Sequence, residues 1–201
     1  MAGVTRCDRI GKYVFKEGVA MELSDVLQKR NSVRKFLPMQ VEREKLYACI
    51  EAARLAPSAC NIQPWKFVIV EEPELKDRLV DEAFSGVHQF NQFARGAGAI
   101  VAVVAERDMM TNKLFAALQG TQFYLLDIGI ACEHFVLEAT ELGLGTCWLG
   151  WFSERKVKKL LGIPRAKKVA AMLAVGYPAG SDVPEEKKRK SIEEISSFNK
   201  Y

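Results

Sequence analysis

The sequence predicts one domain in which a β-sheet is sandwiched between helices, and three observations predict it. Segments with a helical apolar period alternate with short β-branched runs along the chain. The run from Ala97 to Ala105 is apolar throughout, as a strand covered on both faces must be. The segment from about Thr121 to Leu142 is too apolar around its circumference for a helix with a broad solvent side. With 49% apolar and 27% charged residues, the 201-residue chain can offset the entropy of folding, which excludes disorder as its dominant state.

The elements follow in order. Met21 reads as a second beginning, so residues 1–20 are expected to be an extension and 21–201 the single domain. From Glu22 to Lys29, Leu23, Val26 and Leu27 fall at i, i+3 and i+4, one face of a short helix. Val41 to Ala56 repeats that pattern with Leu46, Ile50, Ala53 and Leu55, and Pro57 stops it. Lys66 to Val70 is a β-branched and aromatic strand, and Pro73 to Ala83 a helix with Leu75, Leu79 and Ala83 four apart. Ile100 to Ala105 is the buried strand.

In the long helix of about 121–142, Asp127, His134, Glu138 and Glu141 form a narrow polar stripe, which is expected to face solvent. The rest needs cover, centrally in the fold or at a subunit interface. Gly143 closes this helix, and Thr146 to Leu149 forms a strand ended by Gly150. Ser153 is expected to cap a helix carrying Val157, Leu160 and Leu161, which Gly162 and Pro164 end. Val169 to Val175 is the last strand, stopped by Gly176, Tyr177 and Pro178, and a charged tail follows.

The net charge of +4 is uneven. Residues 154–168 hold seven basic side chains and one acid, a local +6, leaving about −2 elsewhere. Such a face could meet nucleic acid, a phosphorylated ligand or only water, and the lack of interleaved aromatics favours water over nucleic acid. No apolar run reaches the length needed to cross a bilayer, and residues 1–20 lack a secretory-type apolar segment, so a cytoplasmic protein without membrane partners is expected. Cys7, Cys49, Cys60, Cys132 and Cys147 are odd in number and widely spaced, which suits free thiols and supports neither a disulfide framework nor a metal site.

Three segments could carry chemistry. In an extended chain, Arg30, Ser32 and Arg34 share one side, so two guanidinium forks and a hydroxyl could receive phosphate or another anion. Pro57 to Trp65 is a rigid loop between helix and strand, and its Ser58, Asn61 and Gln63 suit the polar edge of a planar heterocycle. Trp65 is expected in the core. Gly143 to Gly150 permits close backbone approach to a ligand, or merely tight turns. It lacks the G-x-G-x-x-G order of a dinucleotide site, and no P-loop, G-x-S-x-G or H-E-x-x-H occurs.

Taken together, these motifs resemble those of the FMN-dependent nitroreductase family from about Met21 to Tyr201. The carriers are Arg30, Ser32 and Arg34; Pro57, Ser58, Asn61, Gln63, Pro64 and Trp65; Gly143 through Gly150; Val175 through Pro178; and Lys187, Arg189, Lys190, Ser191 and Glu194. The resemblance implies an α+β, three-layer α/β/α sandwich with a mixed, mainly antiparallel sheet. It also implies an intertwined homodimer holding FMN at its interface. Arg30, Ser32, Lys187 and Arg189 would hold the phosphate and ribityl chain, and Pro57, Ser58 and Asn61 would reach the ring from the other subunit.

By the same resemblance, the backbone at Trp148, Leu149 and Gly150 would lie along the flavin, and Arg34 would stabilise negative charge at N1 and the C2 carbonyl. Asn91 is a weaker candidate for the pyrimidine edge. The implied reaction is ping-pong: NADH or NADPH gives hydride to flavin N5, and a nitroaromatic, quinone or similar flat small molecule then takes the electrons. No dedicated catalytic side chain is needed. Alternatives within reach of the same motifs are a specialised flavin enzyme such as a reductive dehalogenase, or a flavin-binding redox sensor using Cys60 or Cys147. The chain has Ala59 and Cys60 where relatives often carry glycine, Ser191 where proline is common, and a short segment between Ala105 and Gln119.

Overall fold

The computed structural model describes residues 21–106, 121–180 and 187–201. The expected extension 1–20, with Cys7, and the short segment before Gln119 lie outside the described residues. Helices α1 (Leu23–Lys29), α2 (Arg43–Arg54) and α3 (Pro73–Ala83) are followed by α4 (Phe123–Glu141), α5 (Glu154–Leu161) and α6 (Ile192–Ile195). Strands β1 (Trp65–Val70), β2 (Ala99–Ala105), β3 (Gly145–Leu149) and β4 (Lys168–Gly176) form one sheet in the order β1-β2-β4-β3, every pair antiparallel. The four strands are thus wholly antiparallel rather than mixed, and the one parallel pairing among the described residues is an isolated bridge from Ser32 to Thr146 of β3.

β2 sits between β1 and β4, and all seven of its residues are buried. Its two-residue period divides the core. Ala99, Val101, Val103 and Ala105 face α2 and α4, while Ile100, Ala102 and Val104 join residues of α3, α5 and the turn-rich segment between α3 and β2. Each large aliphatic side chain so enclosed contributes roughly 1.5–3 kcal/mol. Trp65 packs against the α2–α4 core from its margin. Glu72 caps α3 by accepting from the Glu74 and Leu75 amides, with Pro73 in the first turn where its missing N–H costs nothing.

Gly143 adopts φ +76° and Gly162 φ +65°, so both glycines end their helices in the left-handed region. Ser153 occupies the expected position before α5, but its side chain makes no cap; its amide instead donates to the Ala83 carbonyl at 2.9 Å, tying α5 to the end of α3. Residues 86–96 form a run of tight 3-10 turns, in keeping with the three-residue spacing of Val87, Phe90 and Phe93.

The polar stripe of α4 does not face solvent. Asp127 is buried, and its carboxylate accepts from the Ala59 amide at 3.1 Å. Nearly two helical turns along, the Nδ1 atom of His134 lies 3.2 Å from the Ala52 carbonyl of α2. Burial, and then the charge of Glu138, push the Cys49 thiol of α2 up. The stripe is therefore a seam between α2 and α4. Leu125, Leu126 and Ile130 are left exposed on α4, so one chain does not cover this helix.

Candidate functional site

The Arg30–Arg34 segment is extended, as its alternation requires. The Val33 amide donates to the Thr146 carbonyl at 2.9 Å, the Leu37 amide to Tyr177 at 2.8 Å, and the Ala179 amide to Lys35 at 2.9 Å. The segment is thereby a short extra strand along β3 and the end of β4. Val33 is its buried anchor and Ser32 and Arg34 its exposed side, with Arg30 half-buried. This close approach depends on Gly145: a Cβ there would stand 2.6 Å from Val33 Cγ2 and 2.9 Å from Val33 Cβ. The Arg34 guanidinium donates to the Ser32 carbonyl at 3.3 Å and lies 6.0 Å from the centre of the Phe93 ring.

Lys187 reaches the same place from the other end of the chain. Its ammonium donates to the Leu27 carbonyl at 3.0 Å and to the Gln28 carbonyl at 2.5 Å, at the close of α1. Burial, then the neighbouring charges of Arg30 and Arg189, hold its pKa below the ordinary lysine value. Lys187 thus feels Arg30 from the far end of the chain as well as its neighbour Arg189, and among the described residues none of the three has an ion pair. Such a set of cations could receive an anion. Ser191, in place of proline, closes a capping box beyond them: its hydroxyl accepts from the Glu194 amide, and its own amide, which proline lacks, donates to the Glu194 carboxylate at 2.8 Å.

The loop after α2 is held differently. Cys60, Asn61 and Gln63 have φ of 51°, 55° and 52°, a left-handed backbone that favours glycine and strains other residues. Cys60 therefore carries a side chain where the backbone calls for glycine. Polar contacts hold the loop in that shape. The Gln63 amide donates to Ser58 Oγ at 2.9 Å, and its side-chain amide donates to the backbone and side-chain oxygens of Asn61, both at 3.2 Å. Asp127 fixes the middle through the Ala59 amide. Pro57 and Asn61 are exposed, free to meet a ligand.

On the β3 side, Trp148 and Gly150 are exposed around buried Leu149. Asn91 donates its side-chain amide to the Trp151 carbonyl at 2.9 Å, and the His88 ring lies 5.7 Å from that of Trp151. Asn91 is thus a strut for the turn after β3. No motif in the sequence signalled Trp151, His88 or Phe93, although Phe93 continues the three-residue spacing of Val87 and Phe90. Cys147 is buried under this surface; burial pushes its thiol up, against the opposing effect of Arg34, so it lacks the exposure and acidity of a reactive thiol.

The structure brings Arg30, Ser32 and Arg34 alongside β3, with Lys187 fastened at the end of α1 just before Arg30. It does not join them to Pro57, Ser58 and Asn61. The loop is fastened at Asp127 near the start of α4, whereas β3 begins after its end, and the helix between Asp127 and Glu141 is about 20 Å long.

The sequence model described as "Nitroreductase family" matches residues 27–92 and 87–177. A protein of Archaeoglobus fulgidus named for NADH dehydrogenase and NAD(P)H nitroreductase is 30% identical, over 78% of this chain and 86% of its own length. An iodotyrosine deiodinase of Thermotoga neapolitana is 29% identical, over 78% and 88%. Among solved structures, a nitroreductase family protein of Clostridium novyi NT superposes with a TM-score of 0.71 at 34% identity, over 80% of this chain and 87% of that one. An FMN-dependent nitroreductase of Clostridium difficile R20291 superposes with a TM-score of 0.67 at 27% identity, over 88% and 98%.

Proposed function

The chain belongs to the nitroreductase family, and from that premise we propose that it is an FMN-dependent oxidoreductase working as a homodimer. It takes electrons from NADH or NADPH and passes them to a nitroaromatic, a quinone or a similar flat acceptor. The observation that carries this reading is the extended Arg30–Arg34 segment beside β3, with the Lys187 ammonium fastened to the Leu27 and Gln28 carbonyls just before Arg30. A phosphate monoester is the anion that these cations suit, and the fit supports FMN. Bound FMN supplies a two-electron carrier whose N5 accepts and returns hydride.

The protein's own groups do the rest. Arg30, Lys187 and Arg189 neutralise the phosphate, with Ser32 donating to it or to the ribityl chain. Arg34, steadied by Phe93 and the Ser32 carbonyl, provides positive charge for the pyrimidine side of the ring when it gains electrons. The backbone at Trp148, Leu149 and Gly150 lines the ring, and Asn91 keeps the following turn in place through Trp151. Pro57, Ser58 and Asn61 complete the site from the second subunit. Two features support that division: the distance along α4, and the exposed Leu125, Leu126 and Ile130 on the same helix.

Arg30→Ala tests the phosphate assignment. Loss of a charge-assisted contact is expected to weaken FMN binding by roughly 1.5–3 kcal/mol, read by flavin fluorescence titration. Anaerobic mixing with NADH and with NADPH should bleach the bound flavin; flavin that stays oxidised with both donors defeats the oxidoreductase reading. The deiodinase relative favours a second acceptor class, halogenated phenols. Halide release from such a phenol, faster than turnover of nitroaromatics or quinones, would select it.

A further inference from the structure

The helices on the opposite side of the sheet from α2 and α4 border a second basic site. A cleft of about 380 Å³ lies between α3 and α5, lined by Arg78, Glu82, Arg155, Lys156, Lys159 and Leu160. Only Lys156 is satisfied there: its ammonium pairs with Glu82 at 3.2 Å and donates to Ser85 Oγ at 3.1 Å. Arg78 from α3 and Arg155 and Lys159 from α5 make no ion pair or hydrogen bond among the described residues. Elsewhere on α5 the cations are partnered, Lys158 with Glu154 at 2.7 Å, so the unpaired charge is concentrated on the cleft. Arg155 and Lys159 stand at i and i+4, where like charges weaken a helix by a few tenths of a kcal/mol unless an anion lies between them.

We propose that this cleft binds a diphosphate group, gripped by Arg155 and Lys159 from α5 and by Arg78 from α3. Two forked guanidinium groups and an ammonium on facing walls match two adjacent phosphates better than one, because each wall can take its own. The cleft is half open, with Arg78, Arg155 and Lys159 exposed around it, and its lining has one apolar residue, Leu160, and no stacking ring of the kind a polynucleotide would want. The site is coupled to the β3 turn by short links: Ser153 is bonded to Ala83, and Lys156 to Ser85 at the start of the segment that carries His88 and Asn91. The diphosphate has two sources, the dinucleotide of the electron donor or a separate phosphorylated effector.

Calorimetric titration of the purified full-length chain with inorganic pyrophosphate, in saturating FMN so that the Arg30 and Lys187 cations are already occupied, tests the proposal without any need for turnover, so it stands or falls apart from the oxidoreductase reading. One site is expected under these conditions, weakening as salt rises, with an affinity about tenfold above that for sulfate at equal ionic strength. The double change Arg155→Glu, Lys159→Glu should abolish it, and Arg78→Gln, a mild change on the other helix, should weaken it about tenfold while leaving the unfolding temperature unaltered. Absent heat with the native chain overturns the proposal. So does equal affinity for sulfate, binding unchanged in Arg78→Gln, or tighter binding of short single-stranded DNA than of pyrophosphate. Pyrophosphate competing with NADH or NADPH in steady state assigns the site to the donor; inhibition or activation without competition assigns it to an effector.

Discussion

The two halves of the candidate site are built on opposite principles. The Arg30–Arg34 segment is held by backbone hydrogen bonds to Thr146, and the chain just after it by bonds to Tyr177 and Ala179, all at the sheet edge; its residues alternate in and out, and only Gly145 is specially required. The Pro57–Gln63 loop has three non-glycine residues in left-handed conformations and depends on a buried carboxylate, Asp127, and a few amide contacts. A sheet edge positions charge at little conformational cost. A strained loop is held only as long as the groups around it over-determine its shape.

Changes aimed at the two halves should therefore fail differently. Gly145→Val is expected to have the largest effect, because the added atoms collide with Val33 and lift the arginine segment from β3. A loss of roughly 3 kcal/mol in denaturant unfolding, together with flavin-free protein, is the expected outcome. Asp127→Ala should cost less, about 1–3 kcal/mol for the stranded Ala59 amide, and should lower kcat/KM more than it lowers affinity for the flavin phosphate. Equal losses of both would show that the two halves are not separable.

Cys60→Gly acts in the opposite sense. Removing the side chain from a φ of 51° should raise stability by about 0.5–1 kcal/mol in thermal or denaturant unfolding. The smallest effect concerns pH. The folded-state pKa of Lys187 lies below the unfolded one, so between the two the unfolded chain binds more protons, and stability without ligand should rise as pH climbs through that window. A phosphate-bearing ligand that favours the charged ammonium should flatten or reverse that rise. Denaturant unfolding of the flavin-free and flavin-loaded protein at alkaline pH checks the sign, and Lys187→Met should remove the difference.

The contrast also explains what could be read from the sequence. The extended arginine segment and the buried central strand follow from a two-residue period, and both are found where the period puts them. The stripe on α4 was legible as a stripe, but periodicity does not say what packs against a face, and α2 covers it. The left-handed run at Cys60, Asn61 and Gln63 leaves no local mark, since contacts from Ser58 and distant Asp127 impose it. The meeting of Lys187 with Arg30 joins opposite ends of the chain, and only the family resemblance anticipated it. Residues 86–96 carry Val87, Phe90 and Phe93 three apart, the period of the 3-10 turns found there, but no motif marks His88 or the strut from Asn91 to Trp151, which became visible only with the fold.

Asp127 has one more consequence. It lies on the same turn of α4 as exposed Leu126, with Ile130 one turn further on, so the pin that sets the loop's posture and the apolar surface assigned to the proposed dimer belong to a single rigid rod. In the proposed dimer, pairing of subunits and shaping of the loop are one mechanical event. Dilution below the dimer's dissociation constant should extinguish turnover in step with dissociation, with no half-competent single chain left behind.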